Sequence, residues 1–575
     1  MRAALTRVTG LAAVTACVGL LPWLSGRDPA LTVLRARSAE QEPTAEALAS
    51  IRDDLGLGAG PLSLLGDWAG GLVRGDLGTS WVSGADVLPS VLSGLGVSLG
   101  LMGASLLVAL VTATALCAEP LVRGARATAR HRSGTAAAIL VSLPEFLLAT
   151  VGLLVLGVWW GLLPTSGWQG PSHLVLPALA LGIPAGGLLG RLVDDALPAV
   201  FAERWTELWR ASGVTAWRIA AAALRRSLPS VLPQLGLVAV GLTGGAVAVE
   251  TVFAIPGIGR TALGAAKSQD LPMLQGAVLA LLVLGLLAGA LTHLIRRRLL
   301  GPGLRDAQLA LAAPPPPVLG RLRTAVPIVL GAALTTIVGA GLLRDPYAVD
   351  TALRLAAPSG AHPLGTDGLG RDVLARIGHG AAATVGVAFA VCVVSCLLAL
   401  AIGFLPSVAA GASDIANALP PVIVGILVSA ALGPGTGGAS LAVALVSWPP
   451  LAAHAAALVQ EVRASGFLAA QRAIGSSRYW ILTRHVLPSV AGPVVRHAVL
   501  RLPGIALALA SLGFLGLGAQ PPTPEWGLLL DESRAYMERA PWAALAPAGA
   551  LALLAGLAVS LAALPLTRRR STHAA

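Results

Sequence analysis

The chain has 575 residues, 55% of them hydrophobic and 12% charged, with a formal net charge of +12 and a mean hydropathy of +0.78. Soluble domains carry about 25% charged residues, so a globular soluble protein is excluded and an integral membrane protein is expected. The apolar runs are continuous rather than alternating, which favours helices over a barrel. The expected fold class is an all-α membrane protein. The positive charge reads as cytosolic anchoring by Arg, not as nucleic-acid binding.

Met1–Leu24 carries Arg2 and Arg7 before an apolar run and reads as an uncleaved first span. Residues 27–89 form a mixed-charge segment in which acids outnumber Arg, which suits the outside face. Within it, Thr44 is placed to cap a short helix to Asp54. Val91–Ala118 is the second span, stopped by Arg123, Arg126, Arg130 and Arg132, which mark the cytosol. Ala136–Leu163 runs out and His173–Arg191 returns, which leaves residues 195–228 inside. Ser230–Glu250 runs out, Phe253–Asp270 is an outer loop with turns at Pro256, Gly257 and Gly259, and Met273–Ile295 returns to Arg296, Arg297 and Arg298.

Residues 300–320 form a linker whose Pro314–Pro317 run is stiff and extended. The pattern then repeats. Thr324–Leu343 runs out, residues 344–380 are an outer segment, and Ala381–Leu405 returns to a loop near Ser407–Asp414 that holds no Lys or Arg. Leu419–Leu432 runs out, Ser440–Leu458 returns, and residues 459–487 lie inside. Pro488–Leu512 runs out, Gly513–Ala540 is an outer loop, and Ala543–Leu564 ends at Arg568, Arg569 and Arg570. The expectation is two parallel halves, 1–299 and 321–575, with about twelve spans in all and both termini cytosolic.

The two inner segments resemble each other. With Gly213 set over Gly475, Trp217 falls on Tyr479, Ile219 on Ile481 and Leu224 on Val486. Tyr479, Leu482 and Val486 stand at i, i+3 and i+7, one face of a helix. Each segment reads as a short amphipathic helix, a Gly break and a second helix that leads through a Pro, Pro488 in the second copy, into a span. Two copies at matching places favour docking sites for another polypeptide over interfacial helices lying on lipid.

Nothing in the chain suits nucleotide or metal chemistry. The only Lys, Lys267, follows Ala266, so no Gly-Lys-Ser/Thr phosphate loop is present. Cys17, Cys117, Cys392 and Cys396 all sit in apolar runs; Cys392 and Cys396, at i and i+4 on one helix, read as two small buried residues, and no metal-type Cys/His spacing appears. No cofactor or metal is expected on this chain. His131, His173, His454 and His497 fall on unrelated loops and spans, with no nucleophile–base grouping, so an enzyme is not expected.

The motifs resemble a known family, the paired permease subunits of bacterial dipeptide, oligopeptide and nickel importers of the ABC class, fused head to tail. The first half carries GDLGTSW (Gly75–Trp81), LLPTSGW (Leu162–Trp168), HLVLPALALG (His173–Gly182), VETVFAIPGIGR (Val249–Arg260) and QGAVL (Gln275–Leu279). The second carries HPLGTDGLGRDVLARI (His362–Ile377), LGPG (Leu432–Gly435), AVALVSWP (Ala442–Pro449) and FLGLGAQPPTPEWG (Phe514–Gly527). The resemblance implies the binding-protein-dependent, MetI-like permease fold in the bacterial plasma membrane. It also implies two cytosolic ATP-binding domains, which carry the ATP, and an extracellular or lipid-anchored solute-binding protein as partners. The family's loop pattern, Glu-Ala-Ala, three residues, then Gly, is kept in part. Glu207 and Gly213 remain in the first copy and Gly475 in the second, where Ala469 stands in the place of Glu. By resemblance Asp367, Arg371 and Asp372, in GTDGLGRD, are candidate contacts for the binding protein.

Ionisable residues inside spans are costly and usually functional. Glu250 ends the fifth span; its counterpart in the second half is Leu509. Arg496 and Arg501 lie roughly 12 and 20 Å past Pro488 at 1.5 Å per residue. Arg496 is near enough to snorkel to the cytosol; Arg501 is deeper. Glu250, Arg496 and Arg501 are candidate residues of a translocation path, with Arg501 expected to meet Glu250 or a solute carboxylate. The alternative to an ATP-driven importer is an ion-coupled secondary transporter of twelve spans, which needs acidic or His relays at mid-membrane, and few are present.

Overall fold

The computed structural model describes residues 12, 15–21, 29–37, 42–56, 58, 60–127, 137, 140–141, 143–300 and 321–562. Most of the expected first span, Arg130 and Arg132, the linker at 301–320 and the terminal Arg568, Arg569 and Arg570 lie outside the described residues. Among the described residues the chain is helical, with only isolated bridges at Thr79–Asp86 and Thr366–Asp372.

The segment before the first long helix folds as α1 (Pro29–Arg37), α2 (Ala45–Asp54) and α3 (Pro61–Arg74). Thr44 caps α2 as expected, its side chain accepting from Ala47 N at 3.2 Å. The first half continues with α4 (Val87–Ala125), α5 (Glu145–Trp159), α6 (Pro171–Phe201), α7 (Arg204–Ala211), α8 (Ala216–Val252), α9 (Ile258–Lys267) and α10 (Leu271–Leu300). The second half holds α11 (Arg321–Leu342), α12 (Val373–Ile402), α13 (Pro406–Ala418), α14 (Pro421–Leu432), α15 (Thr436–Arg463) and α16 (Gly466–Ala473). It closes with α17 (Arg478–Phe514), α18 (Trp526–Ser533) and α19 (Pro541–Ala562).

Eight of these helices are long and apolar enough to cross a membrane: α4, α6, α10, α11, α12, α15, α17 and α19. The shorter apolar helices α5 and α14 occupy the places of the expected third and ninth spans, and the 37-residue α8 that of the fifth. The loop expected near Ser407–Asp414 is instead the helix α13, with Pro406 opening its first turn, where a missing N–H costs nothing.

Small residues let the helices approach closely. Gly182, Gly186 and Gly190 repeat every fourth residue along one face of α6 and press against α4. A Cβ at Gly186 would stand 2.6 Å from Ala109 O, and one at Gly182 2.6 Å from Ser105 O. With no hydrophobic drive between helices in lipid, such close backbone packing carries the association. The described part of the first span joins the same bundle, because Gln275 of α10 donates to Val18 O and Gly19 O at 3.0 and 3.1 Å.

α4, at 39 residues, is about 58 Å long. Its two ends therefore mark opposite faces of the bundle. One is a loop-rich face bearing α9 and α18; the other bears α7 and α16. The halves meet along α8–α10 and α13, α14 and α17. There, Pro420 packs on Gly244, and the rings of Phe146 and Phe514 stack 5.2 Å apart.

Candidate coupling surface and translocation path

The two inner segments fold alike. α7 and α16 are both eight residues long, and each residue of α16 lies 262 positions after its counterpart in α7. Glu203 and Ser465 hold the N-cap positions in extended backbone. Both helices stop at a left-handed glycine, Gly213 with φ +71° and Gly475 with φ +84°. A side chain there would be strained, so glycine is what allows the reversal. The same terminating bonds follow: Gly213 N to Arg210 O and Gly475 N to Arg472 O, both 3.1 Å.

The helices offer an apolar outer surface. Glu207, Leu208 and Trp209 of α7 are exposed, as are Phe467 and Ala469 of α16. Beyond the turns, Trp217 and Tyr479 are 77% and 76% exposed, and Ile474, Trp480 and Pro488 are exposed too. The expected face of Tyr479, Leu482 and Val486 is not one face in the structure. Tyr479 and Leu482 point outward while Ile481 and Val486 are buried. A π-turn at Leu482–Val486 shifts the helical phase between them.

The seats differ. Arg210 of α7 donates through Nε to Ala125 O and through Nη2 to Gly124 O, at 3.1 and 2.9 Å, so α7 is tied to the end of α4. Arg226 pairs with Glu203 at 3.2 Å, and Trp205 Nε1 donates to Glu203 at 2.8 Å. Arg472, the counterpart of Arg210, is exposed.

On the loop-rich face, the three residues expected to contact an external protein are turned inward. Asp367, Arg371 and Asp372 are 3%, 6% and 8% exposed. Asp367 accepts from Arg371 Nε at 2.7 Å and Arg376 Nη1 at 2.8 Å, and both Arg also reach Glu532, at 3.1 and 2.6 Å. Asp372 caps α12 through Ala375 N and takes bonds from Arg344 and His362. Burial alone raises its carboxyl, but these bonds outweigh it and hold the group below the usual 3.8. Between Asp367 and Arg371, Leu369 is 50% exposed.

The path candidates are not brought together. Glu250 is fully buried, bonded to Ser98 Oγ at 2.5 Å and Arg260 N at 2.9 Å. Arg501 donates instead to Ser447 O of α15 at 3.3 Å, so the expected Arg501–Glu250 pair is absent. Arg496 is exposed. His454 and His497, read as unrelated in sequence, stack 4.6 Å apart between α15 and α17. Cys392 and Cys396 are buried as expected, with Cys392 Sγ donating to Ala498 O. Glu525, which lies in the FLGLGAQPPTPEWG motif but carries no expected role there, caps α18 through Gly527 N and Leu528 N and accepts from Thr384. Burial pushes its carboxyl up to about 7 against these three bonds.

The sequence pattern of the family described as binding-protein-dependent transport system inner membrane component matches residues 110–305 and again 392–571. The chain belongs to this family. It is a membrane-spanning permease of the ATP-driven importer class, and the secondary-transporter alternative is set aside. It is similar to a putative peptide permease protein of Brucella suis biovar 1, at 37% identity over 229 residues, 37% of this chain and 74% of that one. A di/tripeptide transport system permease protein of Pseudomonas aeruginosa is 38% identical over 206 residues, 34% of this chain and 68% of that one. A glutathione transport system permease protein of Escherichia coli O1:K1 is 38% identical over 208 residues, 34% and 67% of the respective chains. Each relative accounts for about a third of this permease, whereas the family pattern occurs in both halves.

Proposed function

We propose that this chain carries both permeases of an importer pair for peptides, fused into one polypeptide, with halves at 1–299 and 321–575 joined by the linker. ATP is bound and hydrolysed on separate cytosolic subunits that seat on α7 and α16, and the chain itself carries no cofactor. A solute-binding protein delivers cargo to the loop-rich face, which is the outer one in a bacterial plasma membrane, and both termini are cytosolic. Closure of the ATPase pair moves both seats and reorients the spans as rigid bodies.

The observation that carries this reading is the duplication of an exposed, eight-residue helix ended by a left-handed glycine at the same offset in both halves. Peptide cargo rests on the names of the relatives given above. Uptake of a labelled di- or tripeptide into vesicles tests it. We expect uptake only with ATP, the ATPase subunits and the binding protein present. Uphill uptake by the chain alone, or labelling of a Trp217→Cys variant from the periplasmic side, overturns the reading.

A further inference from the structure

In each half a short helix on the loop-rich face is fastened to the long helix at whose start it sits. Ser98 lies twelve residues past Asp86, the N-cap of α4, and Thr384 twelve past Asp372, the N-cap of α12. Ser98 Oγ donates to Glu250 and accepts from Ile258 N, the first residue of α9, at 2.9 Å. Thr384 Oγ1 donates to Glu525 at 3.1 Å and accepts from Trp526 N, the first residue of α18, at 3.1 Å. The carboxylates then cap the next N–H groups: Arg260 N by Glu250, and Gly527 N and Leu528 N by Glu525. The same hydroxyl–carboxylate pair thus closes the same turn twice.

The acids arrive from different directions. Glu250 reaches down from the end of α8, whereas Glu525 is the residue just before α18. At the position matching Glu250 stands Leu509, which is buried. The acid that meets Thr384 comes instead from sixteen residues further along the chain than Leu509. A second acid ties the far end of each short helix: Asp270 accepts from Ser80 Oγ and Trp81 N, and Glu532 binds Arg371 and Arg376. Between the halves on this face lie Arg534 Nη2 to Thr251 O at 3.2 Å, Gln269 Nε2 to Ala430 O at 3.4 Å, and an attraction between Lys267 of α9 and Asp531 of α18.

We propose that Glu250 with Ser98, and Glu525 with Thr384, are positioning residues that make α9 part of the α4 body and α18 part of the α12 body. The loop-rich face then opens between the halves, by breaking the Arg534, Gln269 and Lys267–Asp531 contacts, and not within either half. The gating role rests on the importer reading above; the clamp itself does not.

The test uses the full chain in nanodiscs for amide hydrogen exchange at residues 526–533, and vesicles with the ATPase and binding protein for uptake. Glu525→Ala is expected to speed exchange in that segment about tenfold and to cut uptake by a similar factor. Adding Leu509→Glu supplies the acid from the α17 side and is expected to bring both within about twofold of wild type. Thr384→Val keeps the volume and removes only the hydroxyl; it carries the same expectation if Glu525→Ala fails to accumulate. Unchanged exchange in these variants overturns the clamp. Faster exchange with full uptake reduces Glu525 to a structural cap and overturns the positioning role. Failure of Leu509→Glu to restore either readout overturns the relocation. A wild type that takes up nothing tells against the importer reading alone, since exchange still decides the clamp.

Discussion

Replacing Asp367 by Asn removes one charge from a buried group of four and keeps its size. Oδ1 accepts from Leu369 N and Arg371 N at 2.9 and 3.0 Å, and an amide oxygen preserves those turn bonds. Oδ2 accepts from Arg371 Nε and Arg376 Nη1 at 2.7 and 2.8 Å, and an amide NH2 there opposes donors with a donor. Both guanidiniums are nearly sealed from solvent, with side chains 7% and 2% exposed, so water does not repair the loss. Each charge-assisted bond contributes about 1.5–3 kcal/mol, and breaking a buried pair costs about 3–5 kcal/mol. Glu532 still neutralises one of the two Arg, which favours the lower end, about 3 kcal/mol. At about 2 °C per kcal/mol for a long chain, the thermal midpoint in detergent should fall by about 6 °C. A Leu369→Ala control, on a 50% exposed side chain, should leave it unchanged. A midpoint for Asp367→Asn within about 1 °C of wild type refutes the claim that this cluster holds the face together.

Arg210→Ala frees α7 from the end of α4 and should lower transport per ATP hydrolysed, whereas Arg472→Ala should not; equal effects in a coupled ATPase and uptake assay count against unequal seats. Gly213→Ala and Gly475→Ala each force a side chain into positive φ and should each destabilise by about 1–2 kcal/mol, read as faster proteolysis at the turn. Gly186→Val should disrupt the α4–α6 seam by about 1–3 kcal/mol or more, seen as a lower unfolding midpoint. Because the folded-state value of Asp372 lies below 3.8, its stabilisation is complete above that pH and lost as pH falls through the lower value. Wild type should therefore lose stability more steeply than Asp372→Asn on acidification below about pH 4.

Much of this architecture is legible in sequence because a bilayer leaves few choices. Apolar runs of spanning length must become helices, and the Gly213 and Gly475 registers expose the duplication directly. The cap that Asp372 gives Ala375 N is equally local, joining residues three apart. What depends on packing between helices is not legible. The stack of His454 on His497 joins spans 43 residues apart, and nothing in either run announces it. Asp367 and Arg371 are closed in by Glu532, which arrives from α18, far along the chain. The role of Glu525 is hidden because it does not align with Glu250, whose match is Leu509, while Ser98 and Thr384 show their kinship only once Asp86 and Asp372 are superposed.

The uneven fastening of α7 and α16 gives the protein a left hand and a right hand. Two identical motors bound beneath it would pull on unlike levers: one rigidly linked to its column, the other free of that linkage. Fusing both columns in one chain keeps one tied and one untied lever in every assembly, whereas separate subunits that could pair with copies of themselves would not preserve that arrangement.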